Sequence, residues 1–497
     1  MTTFKVRGEL STLADAVLLP SFDGTSAPDW LRRRIADSLG GVCLFARNVA
    51  SDDQVLALTD VLRAERGDLV VAIDEEAGDV TRLDAATGSR YPGAAALGRV
   101  DDPEMTRTIG LLVGTRLAAA GIDLNFAPCA DIASDPANPV IGTRSYGASI
   151  DLVTRHTVAY IRGQQQAGVA ACAKHFPGHG GTDTDSHRAV PVLDADRESI
   201  FAEAVPPFGA AIAAGVSCVM AGHLLVPSID GLPATLSHHW LTGILRNLMG
   251  FGGVIVTDAL EMQAVTRTVG TAGPAGVAEA AVRSLIAGAD LLCLGGDTMN
   301  PDELDVIIDA IVAAVRSGRL GEERLLDAVG RVRALPGSLP RFDPAATAAP
   351  VDAGLVAAAR ALELAGPFPP WTDPVVVLRC EERPNIAVGD IPWGPAAPPN
   401  RAGQMRHHPL HQGDPLPNAA ILAAGTVVLL TRDRHRHPWM LGVLQQMRSL
   451  RADAVLLEMG TTGVHQGQAP AIASYGATSV NSRAALDALG APADARQ

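Results

Sequence analysis

Short apolar runs recur along the chain before residue 300, and a stretch with the spacing of an amphipathic helix separates most of them. Residues 51–67 illustrate this spacing, because Val55, Leu58, Val61 and Leu62 are predicted to fall on one helical face. Near-continuous apolar runs between such helices are typical of parallel strands that are buried on both faces. Eight runs of this kind are predicted as strands, at residues 16–19, 42–45, 70–73, 122–126, 169–173, 218–221, 254–256 and 291–294.

Eight strands that alternate with helices over roughly 330 residues predict a (β/α)8 TIM barrel of the α/β class. A doubly wound open sheet is the competing architecture, because it has the same alternation. The barrel is favoured because polar residues follow the predicted strands, and barrel enzymes carry their active sites at the carboxyl ends of the strands. We therefore expect a catalytic barrel domain at residues 1–335.

The rest of the chain predicts a second, smaller unit. Residues 336–350 are rich in proline and have no strand or helix period, so we interpret them as a linker. Apolar runs at 375–378, 427–430 and 455–457, with a helical pattern at 437–451, predict an α/β layered domain over residues 351–497. The stretch 392–417 is rich in Pro, Gly and His and is interpreted as a long loop, and the role of this domain stays open.

Composition excludes several classes of function. Of 497 residues, 47% are hydrophobic and 19% are charged, so the chain can bury large cores. A net charge of −14, scattered along the sequence, argues against a nucleic-acid partner. Because no uncharged apolar run reaches about 18 residues, we expect no membrane-spanning helix. The N-terminal residues lack the pattern of a standard secretion signal, which predicts a cytoplasmic location.

Polar residues collect directly after the predicted strands. Asp74, Glu75 and Glu76 follow the third run, and Asp131 comes shortly after the fourth. Lys174 and His175 follow the fifth run and open a glycine-rich loop that continues to Asp185 and His187. The sixth and seventh runs lead to His223 and Asp258, respectively. The carboxyl ends of the strands therefore form the candidate active site.

Residue types at these positions suggest acid–base and nucleophilic chemistry. Asp258 directly follows a strand of small and branched residues, where a carboxylate serves as a nucleophile or base, or caps the next helix. Asp185 lies two residues from His187, and a carboxylate at that spacing can hold one ring nitrogen while the other transfers a proton. Lys174 and His175 suit sugar hydroxyls or an anionic group, or pair with loop carbonyls. The glycines allow the loop to bend sharply.

A metal-dependent barrel hydrolase is the alternative for the histidines His175, His179, His187 and His223, because imidazoles at strand ends bind Zn²⁺. We disfavour it because Lys174 would repel a cation and because no H-x-H motif follows the first strand. The six cysteines are widely spaced and mostly lie in apolar runs, which predicts buried thiols rather than disulfides or metal ligands. We therefore expect neither a metal nor another cofactor.

The run KHFPGHGGTDTDSH resembles the signature of family 3 glycoside hydrolases of the β-N-acetylglucosaminidase type. The resemblance extends in order through GVCLFARNV, VAIDEEAGDVTRL, IDLNFAPCADI, NPVIGTRSYG, ATLS, GFGGVIVTDALEM and AGADLLCLGG. It covers roughly residues 10 to 335. This resemblance implies a (β/α)8 barrel that acts on a small carbohydrate containing GlcNAc, in cell-wall fragments or chitooligosaccharides.

By this resemblance, Asp258 is the nucleophile of a retaining mechanism with a covalent glycosyl-enzyme. His187 is the acid/base and Asp185 orients its ring, so a histidine takes the place of the usual second carboxylate. The resemblance also implies a set of sugar-binding residues, namely Asp74, Arg82, Arg144, Lys174 and His175. One departure lies in the third block, where Ala77 and Asp79 differ from the family pattern D-Q-E-G-G-R-V and alter the local loop.

Two alternatives stay open. A β-N-acetylglucosaminide phosphorylase would use the same residues with phosphate as the acceptor, because a neutral His187 repels an anion less than a glutamate does. A non-catalytic sugar-binding protein belongs to a different functional class, and the presence of Asp258, Asp185 and His187 argues against it. The natural aglycone and the oligomeric state are not predicted.

Overall fold

A computed structural model describes residues 8–186, 189–296, 298–340, 343, 350, 352–383, 385–395, 405–464 and 469–490. The described residues form two compact units. The first contains those within Met1–Glu76, Thr106–Ile141 and Ala148–Ala349. The second contains those within Ala77–Met105, Gly142–Gly147 and Pro350–Gln497, so two segments of the N-terminal region belong to it. The sequence pattern did not predict that these two segments belong to the second unit. Most of the predicted linker 336–350 lies outside the described residues.

Eight parallel strands form the first unit's barrel: β1 (Leu18–Pro20), β2 (Gly41–Leu44), β3 (Val70–Ile73), β4 (Leu124–Asn125), β5 (Ala170–Phe176), β6 (Cys218–Ala221), β7 (Val254–Thr257) and β8 (Leu292–Leu294). Strands β2 to β7 pair in chain order, and β8 pairs with β1. A bridge between Val256 and Leu291 joins β7 to β8, and Gly40 N donates to Asp15 O beside β1 and β2. The barrel prediction is confirmed, and the open sheet is wrong.

Alternate strand residues fill the barrel interior. Val70 and Ala72 of β3 and Cys172 of β5 belong to one buried cluster with residues from every other strand. The remaining residues of these short strands are also buried, as the near-continuous apolar runs require. All six cysteines are buried thiols, as predicted, and burial raises the pKa of the Cys172 and Cys218 thiols.

Sixteen α-helices connect and cover the strands: α1 (Glu9–Asp15), α2 (Asp29–Asp37), α3 (Asp52–Glu65), α4 (Ala94–Val100), α5 (Pro103–Ala119), α6 (Ile150–Gln166), α7 (Arg197–Glu203), α8 (Pro206–Ala213), α9 (Gln263–Val269), α10 (Gly273–Ala287), α11 (Pro301–Arg316), α12 (Glu322–Ala334), α13 (Ala353–Ala361), α14 (Asn418–Ala423), α15 (Pro438–Leu450) and α16 (Ser479–Ala488), counted over the described part of the chain. Ser51 caps α3 by accepting from Gln54 N at 3.1 Å. None of these helices is both long and apolar enough to cross a membrane.

Short helices of other types lie between these elements. There are 3₁₀ turns at Ala46–Asn48, Gly142–Arg144, Ala234–Leu236 and Leu335–Gly337, and a π-helical segment at His239–Leu248. The turn at Ala234–Leu236 precedes the π-helical segment and carries Thr235, a buried residue that bonds to the end of β6.

The second unit contains a six-stranded sheet: β9 (Glu363–Ala365), β10 (Val375–Cys380), β11 (Met405–Leu410), β12 (Thr426–Thr431), β13 (Val455–Glu458) and β14 (Ala471–Ala473). The strand order is β11-β10-β12-β13-β14-β9, with only β9 antiparallel to its neighbour. The α/β layered prediction and its three strands are confirmed. The interpretation of 392–417 as one long loop is wrong, because β11 lies within it.

Strand β11 has no continuous apolar run, because it is an edge strand. Its sequence, MRHHPL, buries only Met405 and Leu410, while Arg406 and His407 are exposed. An edge strand has one unpaired side, so it needs no continuous apolar run and it tolerates Pro409.

Candidate active site

The carboxyl ends of the barrel strands carry the polar groups that the sequence indicated. Asp74 follows β3 and Asp258 follows β7. Lys174 and His175 lie inside β5, because this strand continues to Phe176 rather than ending at residue 173. The two polar residues are tolerated in a buried strand because carboxylates from neighbouring strand ends face them.

Lys174 bridges two carboxylates that follow β3. Its Nζ lies 2.5 Å from Asp74 Oδ1 and 2.6 Å from Glu76 Oε1. The lysine side chain is only 3% exposed, and Asp74 is 16% exposed. Buried charges are tolerated when they are paired in this way. The prediction of a sugar-binding role covered Asp74 and Lys174 but missed Glu76, although Glu76 is two residues from Asp74 in the same polar run.

Asp131 holds His175 and the start of the glycine loop. Its Oδ2 accepts from His175 Nδ1 at 2.7 Å, and its Oδ1 accepts from His179 N at 2.6 Å. Burial opposes ionisation of Asp131, but the adjacent His175 and His179 hold the pKa of this carboxyl well below its usual range. Asp131 therefore fixes the orientation of the His175 ring, a positioning role that the sequence analysis did not assign.

Asp258 is half-buried at the end of β7. Its own N donates to Ala221 O at 3.0 Å, and its Oδ1 accepts from Ala259 N at 2.8 Å. The alternative role as a helix cap is not observed, since α9 begins five residues later with Met262 at its N-cap position. Ala221 thus holds the backbone of Asp258, and Ala259 holds its carboxylate.

Charged side chains at the strand ends also affect the buried thiol of Cys172, which belongs to β5. Burial raises the pKa of Cys172; Lys174 lowers it, and the charges of Asp74 and Asp258 raise it further. Asp74 and Asp258 directly follow β3 and β7, and Lys174 lies within β5. The structure places Asp74, Lys174, His175 and Asp258, four of the residues that the resemblance assigned to the site, at the carboxyl ends of strands of one barrel.

The glycine loop after β5 depends on two of its glycines. Gly178 has a φ of +130°, a conformation that favours glycine. A Cβ on Gly180 would lie 1.6 Å from Ile132 O, so the loop can approach this segment only without a side chain. Asn138 Nδ2 also donates to His179 O at 2.9 Å. The beginning of the loop is thereby fixed against residues 131–138.

Of the predicted acid/base pair, the structure describes Asp185 but not His187. Asp185 is partly exposed, and its carbonyl accepts from Ala189 N at 3.0 Å. His187 lies outside the described residues, so the pairing of Asp185 with His187 stays a prediction. Ser186, between them in sequence, is buried with its Oγ 3.2 Å from His179 Nε2.

Arg82 and Arg144 belong to the second unit. Both are buried, and Arg82 Nη2 donates to Ala387 O at 2.9 Å. Arg144 ends the 3₁₀ turn Gly142–Arg144. Their assignment to sugar binding stays a prediction from the resemblance.

The departure at Asp79 has a structural explanation within the second unit. Asp79 Oδ2 accepts from Thr143 Oγ1 at 2.6 Å and from Arg432 Nη2 at 2.9 Å, while Oδ1 accepts from Ala477 N at 2.9 Å. Arg432 therefore supplies the positive charge beside this loop, and Asp79 is engaged in structural contacts.

Cys129, Asp131 and His175 are the one group in the described part of the chain with the residue types and proximity of a metal site. Asp131 lies 2.7 Å from His175 Nδ1 and 3.1 Å from Cys129 Sγ. These are hydrogen-bond lengths, whereas tetrahedral ligands about 2.0–2.3 Å from Zn²⁺ lie more than about 3.2 Å apart. We therefore interpret the group as a hydrogen-bonded cluster that orients His175.

A barrel of eight parallel strands, with carboxylates, a lysine and a histidine at the carboxyl ends, defines a (β/α)8-barrel enzyme. Residues 28–335 match the family described as "Glycosyl hydrolase family 3 N terminal domain". The chain belongs to glycoside hydrolase family 3, and it is a glycoside hydrolase.

Individual relatives agree with this assignment. The chain is 36% identical over 297 residues to a β-hexosaminidase of Methylococcus capsulatus. The aligned region covers 59% of this chain and 85% of that protein. It is 30% identical over 329 residues to β-hexosaminidase A of Pseudoalteromonas piscicida and spans only 54% of that protein's length. The solved structure of a family 3 β-N-acetylglucosaminidase from a Paenibacillus species has a TM-score of 0.82 at 30% identity and covers 98% of each chain.

Proposed function

We propose that this protein is a retaining exo-β-N-acetylglucosaminidase that removes terminal β-linked GlcNAc. The observation that carries the proposal is the Asp258 carboxylate at the end of β7, which Ala259 N holds at 2.8 Å. It lies at the carboxyl end of the same barrel as Asp74 and Lys174. The names of the relatives, β-hexosaminidase and β-N-acetylglucosaminidase, support the choice of sugar.

In the proposed first step, an oxygen of Asp258 attacks the anomeric carbon and the bond to the leaving oxygen breaks. His187, oriented by Asp185, gives its proton to that oxygen. The product of this step is a covalent glycosyl-enzyme ester. In the second step water attacks the same carbon, His187 takes the water's proton and Asp258 leaves, so the β configuration is retained.

The groups around Asp258 supply binding and orientation. Asp74 is an acceptor for sugar hydroxyls, and its ion pair with Lys174 holds it in place. Asp131 orients His175 toward the same end of the barrel. Positioning of this kind contributes to catalysis because the reacting atoms are held close together before bonds change.

Short neutral substrates suit this protein better than a polyanion. Its net charge of −14 disfavours a strongly anionic polymer. We therefore propose chitooligosaccharides or small cell-wall fragments as substrates, as in peptidoglycan recycling in the cytoplasm.

The test is hydrolysis of aryl β-glycosides of GlcNAc, GalNAc and glucose by the wild type, Asp258→Asn and Asp60→Asn. Asp60 is an exposed aspartate on α3 and is the matched control. We expect preference for the GlcNAc glycoside, a wild-type rate for Asp60→Asn, and a loss of more than about 100-fold for Asp258→Asn. A folded Asp258→Asn variant above about one hundredth of the wild-type rate would remove Asp258 from the nucleophile role.

A further inference from the structure

His223 connects the end of β6 to the residue that follows Asp258. It is wholly buried. Its Nε2 lies 2.9 Å from Ala259 O, and its Nδ1 lies 2.9 Å from Thr235 Oγ1. Because a carbonyl oxygen only accepts, Nε2 carries a proton and donates it to Ala259 O. Both ring nitrogens are engaged, so His223 is not positioned as a metal ligand.

These contacts belong to a closed ring of close polar contacts that includes Asp258, in which the single hydroxyl proton of Thr235 serves one acceptor at a time. Thr235 Oγ1 lies 3.0 Å from Ala221 O, and Asp258 N donates to that same oxygen at 3.0 Å. From Asp258 the ring continues through Ala259 N, which donates to Asp258 Oδ1. Ala259 O then accepts from His223, which contacts Thr235. The ring thus begins and ends at Ala221 O.

The peptide units on each side of Ala259 therefore have separate constraints. The first presents its N–H to the Asp258 carboxylate, and the second presents its C=O to His223. If the peptide unit that follows Ala259 rotates, Ala259 moves, and the N–H that donates to Asp258 moves with it. Small displacements of a reacting group cost on the order of 100-fold in rate.

We propose that His223 is a positioning residue for the nucleophile: it fixes Ala259 and thereby the direction of the Asp258 carboxylate. This inference rests on the proposed function, since it assumes that Asp258 attacks the sugar. His223 lies at the opposite end of the ring from the carboxylate and acts through the backbone, so its loss should slow bond formation more than it weakens sugar binding.

Two conservative substitutions separate this role from simple packing. The amide of His223→Gln extends to the position of Nε2 and can still donate to Ala259 O. The shorter amide of His223→Asn reaches only the position of Nδ1, so it keeps the Thr235 side of the ring and loses the Ala259 side. The same two substitutions at the exposed His239 are the matched controls.

We expect His223→Asn to lower kcat on an aryl β-GlcNAc glycoside by about 100-fold while KM changes less than about threefold. His223→Gln should recover kcat to within about tenfold of the wild type, and both His239 variants should match the wild type. Thermal unfolding of every variant reports on packing. A folded His223→Asn with wild-type kcat, or equal kcat losses for the Gln and Asn variants, would overturn the proposal.

Thr235→Val keeps the inference testable if His223→Asn does not fold. Valine has a similar shape but removes the hydroxyl that anchors Nδ1, so we expect kcat to fall by about tenfold with little change in KM. An unchanged kcat in this variant would contradict the proposal. Asp258→Asn is measured in parallel: if it stays active, the proposed nucleophile fails, whereas an inactive Asp258→Asn with normal His223 and Thr235 variants refutes only the role of His223.

Discussion

Lys174 and Asp74 form an ion pair 2.5 Å long between the ends of β5 and β3. Lys174 is one of only two lysines in the sequence, and the chain otherwise uses arginine as its permanent cation. A lysine ammonium is a compact charge that contacts both Asp74 and Glu76, and a planar guanidinium differs from it in shape and donor geometry. We therefore expect arginine at position 174 to fit poorly between these two partly buried carboxylates.

This geometry predicts that an arginine at position 174 cannot replace the native lysine. Lys174→Met leaves two partly buried carboxylates without their cation, and we expect a loss of about 3 kcal/mol in unfolding free energy together with loss of activity. Lys174→Arg should also lose most activity, although it keeps the charge. Chemical unfolding and aryl glycoside hydrolysis measure the two effects, and wild-type activity in Lys174→Arg would show that only the charge matters.

The depressed pKa of Asp131 predicts a specific pH dependence of stability. A carboxyl whose folded pKa lies below its unfolded value of about 3.9 stabilises the fold above that pH, and the contribution is lost as pH falls below it. Asp131→Asn should therefore have a lower unfolding free energy than the wild type at pH 5. The difference between the two proteins should be about 1 kcal/mol smaller at pH 3 than at pH 5. Urea unfolding at both pH values measures this difference. A constant difference would contradict the ionised Asp131, and Asp60→Asn is the control.

Two adjacent glycines should respond differently to alanine. In Gly180→Ala the new Cβ would meet the backbone oxygen of Ile132 at 1.6 Å, so the loop must move. In Gly181→Ala the nearest atom is Ser134 Oγ at 3.2 Å, and this side chain can adjust. We expect Gly180→Ala to lose at least about tenfold in kcat/KM and Gly181→Ala to stay close to the wild type. Equal activity of the two variants would show that the loop start is not fixed as described.

The acid/base role proposed for His187 predicts a dependence on the leaving group. His187→Ala should slow chitobiose hydrolysis by at least about 100-fold but slow an activated aryl glycoside far less, because only the poor leaving group needs the proton. His239→Ala, at an exposed position, is the control. Equal losses on both substrates would exclude His187 as the proton donor.

The fold was predictable where burial leaves a continuous pattern. All eight barrel strands were recognised because a barrel strand is covered on both faces and reads as an apolar run. Strand β11 was not, because only its two end residues are buried. The end of β5 was also misplaced, since Lys174 and His175 interrupt its apolar run and their buried partners come from other strands.

The site was predictable only in part, because several of its contacts leave no local signal in the sequence. Position after a strand identified Asp74, Lys174, His175 and Asp258, but it assigned no role to Asp131 or Glu76. The bond from His223 to Ala259 O has no sequence signal, because any residue can supply a backbone carbonyl. The contact between Asp79 and Arg432 joins residues far apart in sequence, where no local pattern connects them.

The central claim is that Asp258 and its surroundings hydrolyse a β-linked GlcNAc with retention. The most direct test follows chitobiose or an aryl β-GlcNAc glycoside by proton NMR, with and without inorganic phosphate. The account predicts free GlcNAc that first appears as the β-anomer in both buffers. First appearance of the α-anomer would contradict retention, GlcNAc-1-phosphate formed only with phosphate would show a phosphorylase, and binding of GlcNAc without any turnover would show a sugar-binding protein.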